Sequence, residues 1–302
     1  MIERPFGVSH IAIETLIDDP SRKGFTSWTE PLPERAFTKP GFQINDPSVI
    51  TYPGVNSLTY MYYTALADVD AKQKIFNRHK IGLAISINGG QSWQDRGIII
   101  DYPESGDGKG ASSPGVITVG DEIWVYYHTG TSDFSKPINW RVKFDLDTFA
   151  IIKIGPPERL TMVGFIPNDP DWILSNLDIS YRNSQFVMLA NTLDLKKIVR
   201  LISDDGINWR KPIGGADPII EVTNHFVLTP TTEDTSPDHY KIYFGLGIVS
   251  GSNVTSAMIR SKEFDTITSI PLAPASNIFT VDIPTPNEPN PNTYLFSCDE
   301  SF

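Results

Sequence analysis

The sequence predicts an all-β chain, and three observations carry that expectation. Short runs of β-branched and aromatic residues recur, each closed by a turn and followed by another such run. Helical periodicity is nearly absent over the 302 residues, the best candidate being the charged stretch around Asp68 to His79. Six Trp and 11% aromatic residues suit sheets that pack face to face.

The recurrence has a unit. Apolar hairpins begin at Asp46 ("DPSVI" to "LTYMYYTAL"), Ser113 ("SPGVITVGDEIWVYYHTG"), Asp178 ("DISYRNSQFVMLANT") and His225 ("HFVLTPTTEDTSPDHYKIYFGLG"). Each reads as an inner strand, a turn and a longer aromatic strand. The first continues into "KIGLAISINGGQSWQDRGIII" and the third into "KIVRLISDDGINWRKP", an apolar strand leading to a Gly turn closed by Trp. Two hairpins in series make a four-stranded antiparallel sheet, and repetition of that sheet predicts a β-propeller.

A fifth start falls at Ser276 in "SNIFTVDI", with "NTYLFSC" after it and too little chain to finish a sheet. The N-terminal segments "GVSHIAIETL" and "SRKGFTSWTEPL" supply what is missing. The expectation is a five-bladed β-propeller of four-stranded antiparallel blades in one domain, 1–302, its last blade closed by N- and C-terminal strands. Such closure leaves no exposed sheet edge.

Composition narrows the function. A net charge of −11 argues against nucleic acid or an anionic membrane as partner, since no basic surplus displaces counterions. The single Cys298 excludes an internal disulfide framework and a Cys-based metal cluster. No apolar leader opens the chain and no stretch reaches membrane-span length, so a soluble protein is expected, cytoplasmic if the chain is complete.

"SINGGQSW" (Ser86–Trp93) and the shorter "SDDGINW" (Ser203–Trp209) fit the Asp-box turn, with Asn88 in place of Asp in the first. In such a turn Ser and Asp or Asn bond turn amides, Gly takes a positive φ and Trp packs between sheets. Asn88 and Asp205 are therefore read as structural, and Trp93 and Trp209 with them.

Together with "NDPSVI" (Asn45–Ile50), this pattern resembles the five-bladed propeller glycosidases, above all glycoside hydrolase family 43 and its relatives in families 32, 62, 68 and 117. The resemblance implies a glycosidic bond cleaved in a central funnel by carboxylate acid–base chemistry, with inversion. It implies that Asp46 is the general base. The inner-strand starts then offer Asp46, Ser113, Asp178, Asn224 or His225, and Asn277.

The sequence departs from family 43 at two of these positions. Ser113 stands where the family has its second Asp, and Asp178 where the acid is usually Glu. Asp178, Glu221 and His225 remain candidates for the acid, the last because a His serves in family 117. Ser113, Asn224 and Asn277 would bond sugar hydroxyls, and Trp172 would stack on a sugar face. His128 is read as a packed or surface residue. The five His are scattered singly, so no metal site and no cofactor is expected, although the resemblance allows a channel cation such as calcium. The partner expected is a carbohydrate or glycoside. The rival is a propeller that binds carbohydrate without cutting it, and a third reading is a propeller used for another reaction or as a scaffold.

Overall fold

The computed structural model describes residues 10–13, 16–17, 27–28, 37–52, 58–72, 78–101, 109–130, 138–146, 152–163, 174–192, 195–213, 218–222, 225–236, 239–250, 253–265, 276–282 and 294–297. Strands dominate them. Asp68–Lys72 forms a five-residue helix within the charged stretch singled out above. Four four-stranded antiparallel sheets are present among the described residues. No helix is long and apolar enough to cross a membrane.

The chain divides into two compact units. The first comprises Met1–Tyr102, Gly110–Ser112 and Asn292–Phe302. It holds the first sheet, in the order Phe42–Thr51, Thr59–Ala67, Lys80–Ser86 and Gln94–Ile100. It also holds a pairing of the chain's two ends, His10–Ile13 with Tyr294–Ser297. That pairing is parallel, whereas the sequence led us to expect antiparallel blades throughout. No hairpin joins these two strands, so no turn imposes the antiparallel direction.

In the first sheet Thr59 to Leu66 are all buried. Ile44, Met61, Tyr63, Ala65 and Ala84 form a core with Phe37. Tyr63 lies across Gly82, directly opposite on the next strand, and a Cβ there would sit 2.2 Å from the Tyr63 ring. The ring thus occupies the space a side chain would fill. Tyr63 donates from its hydroxyl to Asp95 at 2.8 Å, and the Lys39 ammonium binds the other carboxylate oxygen. Partial burial pushes Asp95 up, but the Lys39 ammonium, the Gly97 N–H and the Tyr63 hydroxyl outweigh it and hold the carboxyl below its ordinary value.

The second unit comprises Pro103–Lys109 and Ser113–Pro291 and carries three sheets. Their strand orders are Lys109–Val119, Glu122–Gly130, Ile138–Asp145, Lys153–Arg159; then Leu174–Arg182, Gln185–Thr192, Lys197–Ser203, Ile220–Glu221; then His225–Ser236, His239–Ser250, Asn253–Asp265, Ser276–Asp282. The edge strand Lys153–Arg159 is exposed along its whole length. Pro156 and Pro157 there withhold two N–H donors that a stray strand could pair with.

Ser276–Asp282 is the outer strand of the fourth sheet, with Asn277 opposite Arg260. The sequence expectation made it the start of a fifth blade. The difference arises because the fourth repeat has no Gly-Trp turn to mark its last hairpin, so its outer strand reads as a fresh start.

Successive sheets of this unit pack face to face. Trp124 stacks on Phe186 at 5.1 Å, and Leu174, Leu177, Ile179, Met188, Leu201 and Trp209 join the same core. Leu189, Ile198, Val227, Tyr240 and Phe244 make the next. Gly115 touches the third sheet so closely that a Cβ would meet the Leu177 carbonyl oxygen at 2.3 Å.

The two Gly-Trp turns share one hydrogen-bond plan. Ser86 Oγ accepts from the Gly90 N–H and Asn88 Oδ1 from the Ser92 N–H. In the second turn Ser203 Oγ accepts from the Gly206 N–H, while Asp205 Oδ1 accepts from the Ile207 and Asn208 N–H groups, both at 2.8 Å. Desolvation pushes Asp205 up, but these donors, with the Asn208 amide and the Ser203 hydroxyl, together outweigh it and hold the carboxyl far below the ordinary carboxylate range.

A group whose pKa is depressed on folding stabilises the fold above its unfolded value, about 3.9, and loses that contribution as pH falls towards the folded value. Asp205→Ala is therefore expected to cost about 1–2 kcal/mol at pH 7. The gap from wild type should narrow progressively below about pH 4. Urea denaturation of both proteins at pH 7 and pH 3 measures this. An equal gap at the two pH values would remove the charge from the explanation.

Candidate functional site

The inner strands share a defect that positions their polar residues. In the first sheet Asn45 pairs with Thr64 and Ser48 with Tyr62, so Asp46 and Pro47 together face one residue, Tyr63. In the third, Ser175 pairs with Asn191 and Asp178 with Leu189, so Asn176 and Leu177 face Ala190. In the fourth, Leu228 pairs with Gly245 and Thr231 with Tyr243, which leaves Thr229 and Pro230 opposite Phe244. Each is a β-bulge with two residues against one.

The backbone marks the same places. Asp46, Asn176 and Ser113 take left-handed φ values of 46°, 49° and 52°. This is the conformation of the first residue of a G1 bulge, normally Gly. Asn and Asp tolerate it better than other side chains, at a cost of order 1 kcal/mol. Proline follows Asp46, Ser113 and Thr229. It suits the second bulge position, whose N–H the ladder does not use.

The registers revise where each inner strand begins. Phe42–Thr51 is already paired before Asp46, and Lys109–Val119 starts ahead of Ser113. Asp46 and Ser113 thus sit inside continuous strands, Asp46 at a bulge, and not at strand starts. In the third sheet the bulge position belongs to Asn176, which sequence reasoning passed over, while Asp178 occupies the position of Ser48. The signal that could have found Asn176 is the polar Ser175-Asn176 pair before Leu177, parallel to Asn45-Asp46 before Pro47.

Asp46 is half-buried and accepts a hydrogen bond on Oδ2 from Thr64 Oγ1 at 3.3 Å. Thr64 is buried and lies on the second strand of the same sheet, opposite Asn45. Ser113 is buried in the second unit. Asp178 points to the fourth sheet, where the buried Thr232 donates from Oγ1 to Asp178 Oδ2 at 2.9 Å. Arg182 donates to the same Thr232 oxygen at 2.8 Å and lies 4.8 Å from the centre of the Tyr240 ring. Asp178 therefore belongs to a polar contact between two inner strands of the second unit.

Glu221 is exposed on the outer strand of the third sheet, opposite Lys197. Three strand spacings separate that strand from Leu174–Arg182, about 14 Å. Trp172 and Asn224 lie outside the described residues. His225 begins the inner strand of the fourth sheet, opposite Ile248, and its side chain is outside the described part, as is that of Asn277. His128, opposite Asn139, is buried on the second strand of the second sheet, where Thr64 and Asn191 stand in theirs. Among the described residues no group of three or more His, Cys, Asp or Glu is gathered as metal ligands.

The chain resembles in fold solved glycoside hydrolases of the propeller type. A thermostable family 43 glycoside hydrolase is 15% identical with a TM-score of 0.59, covering 88% of this chain and 85% of that one. An exo-1,5-α-L-arabinanase from a bovine ruminal metagenomic library is 14% identical with a TM-score of 0.58, covering 87% and 95%. A family 117 glycoside hydrolase from the marine bacterium Zobellia galactanivorans is 13% identical with a TM-score of 0.54, covering 91% and 76%. Neither a protein-family profile nor a curated protein matches the sequence. At these identities the likeness is one of fold.

Proposed function

We propose that the chain is a single five-bladed propeller closed by its terminal strands, with Asp-box turns on its blades, and that it cleaves a glycosidic bond with inversion. The observation that carries the reading is Asp46: a carboxylate kept at a left-handed φ on a bulged inner strand, in a fold shared with glycoside hydrolases. Backbone strain retained at one polar residue is characteristic of ligand and catalytic positions.

In this reading Asp46 takes a proton from water, whose oxygen attacks the anomeric carbon. An acid on the opposite face of the sugar delivers a proton to the departing glycosidic oxygen as the bond breaks. Asp178, Glu221 and His225 are the candidates for that acid. Glu221 is exposed on the outer strand of the third sheet, and Asp178 accepts the Thr232 hydroxyl. Ser113 is assigned to substrate binding, as are Trp172 and Asn224.

One observation favours a second reading, a propeller that binds carbohydrate without cleaving it. Of the bulge positions Asp46, Asn176 and Thr229, and of Ser113 with its left-handed φ, Asp46 alone is a carboxylate. The two readings separate in one assay. The protein is incubated with aryl arabinofuranoside, xyloside, galactoside, fructoside and sialoside, and the anomer released is followed by NMR. Turnover with inverted product is expected, retained configuration would exclude the proposed mechanism, and binding without turnover would select the second reading.

A further inference from the structure

We infer that Asn176 is a ligand-contacting residue and that its amide oxygen reads a hydroxyl group of the carbohydrate. This rests on the carbohydrate reading above and adds to it a specific residue, atom and polarity. The argument is a chain of donors and acceptors within the second unit.

The Val227 carbonyl can only accept, and it lies 2.8 Å from the side-chain amide of Asn191. Asn191 must therefore turn its NH2 towards Val227, which fixes its orientation. Asn191 is fully buried, so this bond is sealed from water. Its Oδ1 then faces the other way and accepts from Asn176 Nδ2 at 3.5 Å. That second contact fixes Asn176 in turn: its NH2 points inward and its Oδ1 outward. Asn176 is half-buried, and among the described residues no group donates to that oxygen.

The result is a bare acceptor held at a left-handed φ by a locked partner, at a bulge in the inner strand. The first sheet joins the same two positions with the opposite polarity, Thr64 on the second strand donating to Asp46 at the bulge. An acceptor so oriented selects a ligand with an O–H or N–H donor and discriminates against the analogue that lacks it. A sugar hydroxyl fits that requirement, and a phosphate or carboxylate oxygen does not. Asp178, two residues further on, accepts the Thr232 hydroxyl.

The test compares wild type, Asn176→Gly and Asn183→Gly. Glycine accepts the left-handed backbone at both positions, so the side chain is removed without strain. Asn183 has a φ of 50° in the exposed hairpin turn and serves as the control. Binding of methyl α-L-arabinofuranoside, methyl β-D-xyloside and methyl β-D-galactoside is followed by saturation-transfer NMR and calorimetry, with Tm measured alongside. Asn176→Gly should weaken the probe that binds wild type about tenfold, with Tm lowered by only about 2–4 °C for the donor that buried Asn191 loses. Asn183→Gly should bind as wild type does.

Unchanged affinity in Asn176→Gly overturns the assignment and leaves the carbohydrate reading standing. Weaker binding that comes with a Tm loss well beyond that of one buried hydrogen bond overturns it too, because Asn176 would then serve the bulge alone. Failure of every probe on the wild type overturns this inference and the carbohydrate reading together.

Discussion

Asp46→Asn is expected to lower kcat/KM for any glycoside the wild type hydrolyses by about 10²- to 10⁴-fold, the range associated with loss of a general base. The substitution is chosen because it changes charge and little else. Asn has the shape of Asp and tolerates the left-handed φ of 46° that this position imposes. Its amide oxygen can still accept the Thr64 hydroxyl that Asp46 accepts at 3.3 Å. The bulge and the Tyr63 packing behind it should therefore survive, with Tm within about 2 °C of wild type. KM should move much less than kcat, since the function proposed for Asp46 is proton transfer in the transition state and not ground-state binding. Steady-state kinetics and a thermal melt on the same preparation decide it. Undiminished turnover would reduce Asp46 to a residue that merely shapes the bulge.

Gly206→Ala is expected to destabilise the fold by about 3–5 kcal/mol, from left-handed backbone strain and overpacking acting together. At φ 72° the new Cβ would meet Tyr126 Oη at 2.5 Å, Trp124 Cζ3 at 2.7 Å and Arg141 Nη1 at 3.0 Å. None of these can easily retreat. The Tyr126 hydroxyl donates to the Gly206 carbonyl, and Arg141 donates to the Asp205 carbonyl while its other nitrogens bind Glu158. Trp124 is held between Phe186 and the Arg141 guanidinium, which lies 4.0 Å from its ring centre. This clasp joins the second sheet to the turn of the third.

Gly89 provides the internal comparison. It occupies the corresponding turn of the first sheet at φ 65°, but its Cβ would meet nothing within 4 Å. Gly89→Ala should cost only the backbone term, about 1–2 kcal/mol. Urea denaturation of the two variants separates conformation from packing. Equal losses would mean that the Tyr126–Arg141 clasp contributes nothing.

These two positions were unequally legible. The Gly-Trp turns could be read because their hydrogen bonds span only a few residues, and Ser203, Asp205 and Gly206 each announce their part in them. That Gly206 also lies beneath Tyr126 and Arg141 could not be read, since those residues are 80 and 65 positions away. Asp46 stood out through the Asn45-Asp46-Pro47 interruption of an apolar run. Asn176 did not, because Leu177 follows it instead of Pro and the nearby Asp178 drew the assignment. A bulge adds one residue to one strand and so shifts the phase of alternation. Periodicity counted along the sequence alone does not locate that extra residue.

The outer strand Ser276–Asp282 illustrates the same limit at the level of the sheet. Its residues show that it is a strand, but which strand it joins depends on Arg260 lying opposite Asn277. By itself, then, the sequence determined the β class, the four repeated hairpins, the two Gly-Trp turns and the polar residue at the first bulge. All of these are encoded in contacts between near neighbours, where backbone preference and alternation act directly. The tertiary structure alone decided the registers, the place of Asn176 at the third sheet's bulge, the turning of Asp178 towards Thr232 and the membership of the last strands. Those depend on pairings between residues far apart in the chain, which local preference does not specify and sheet packing does.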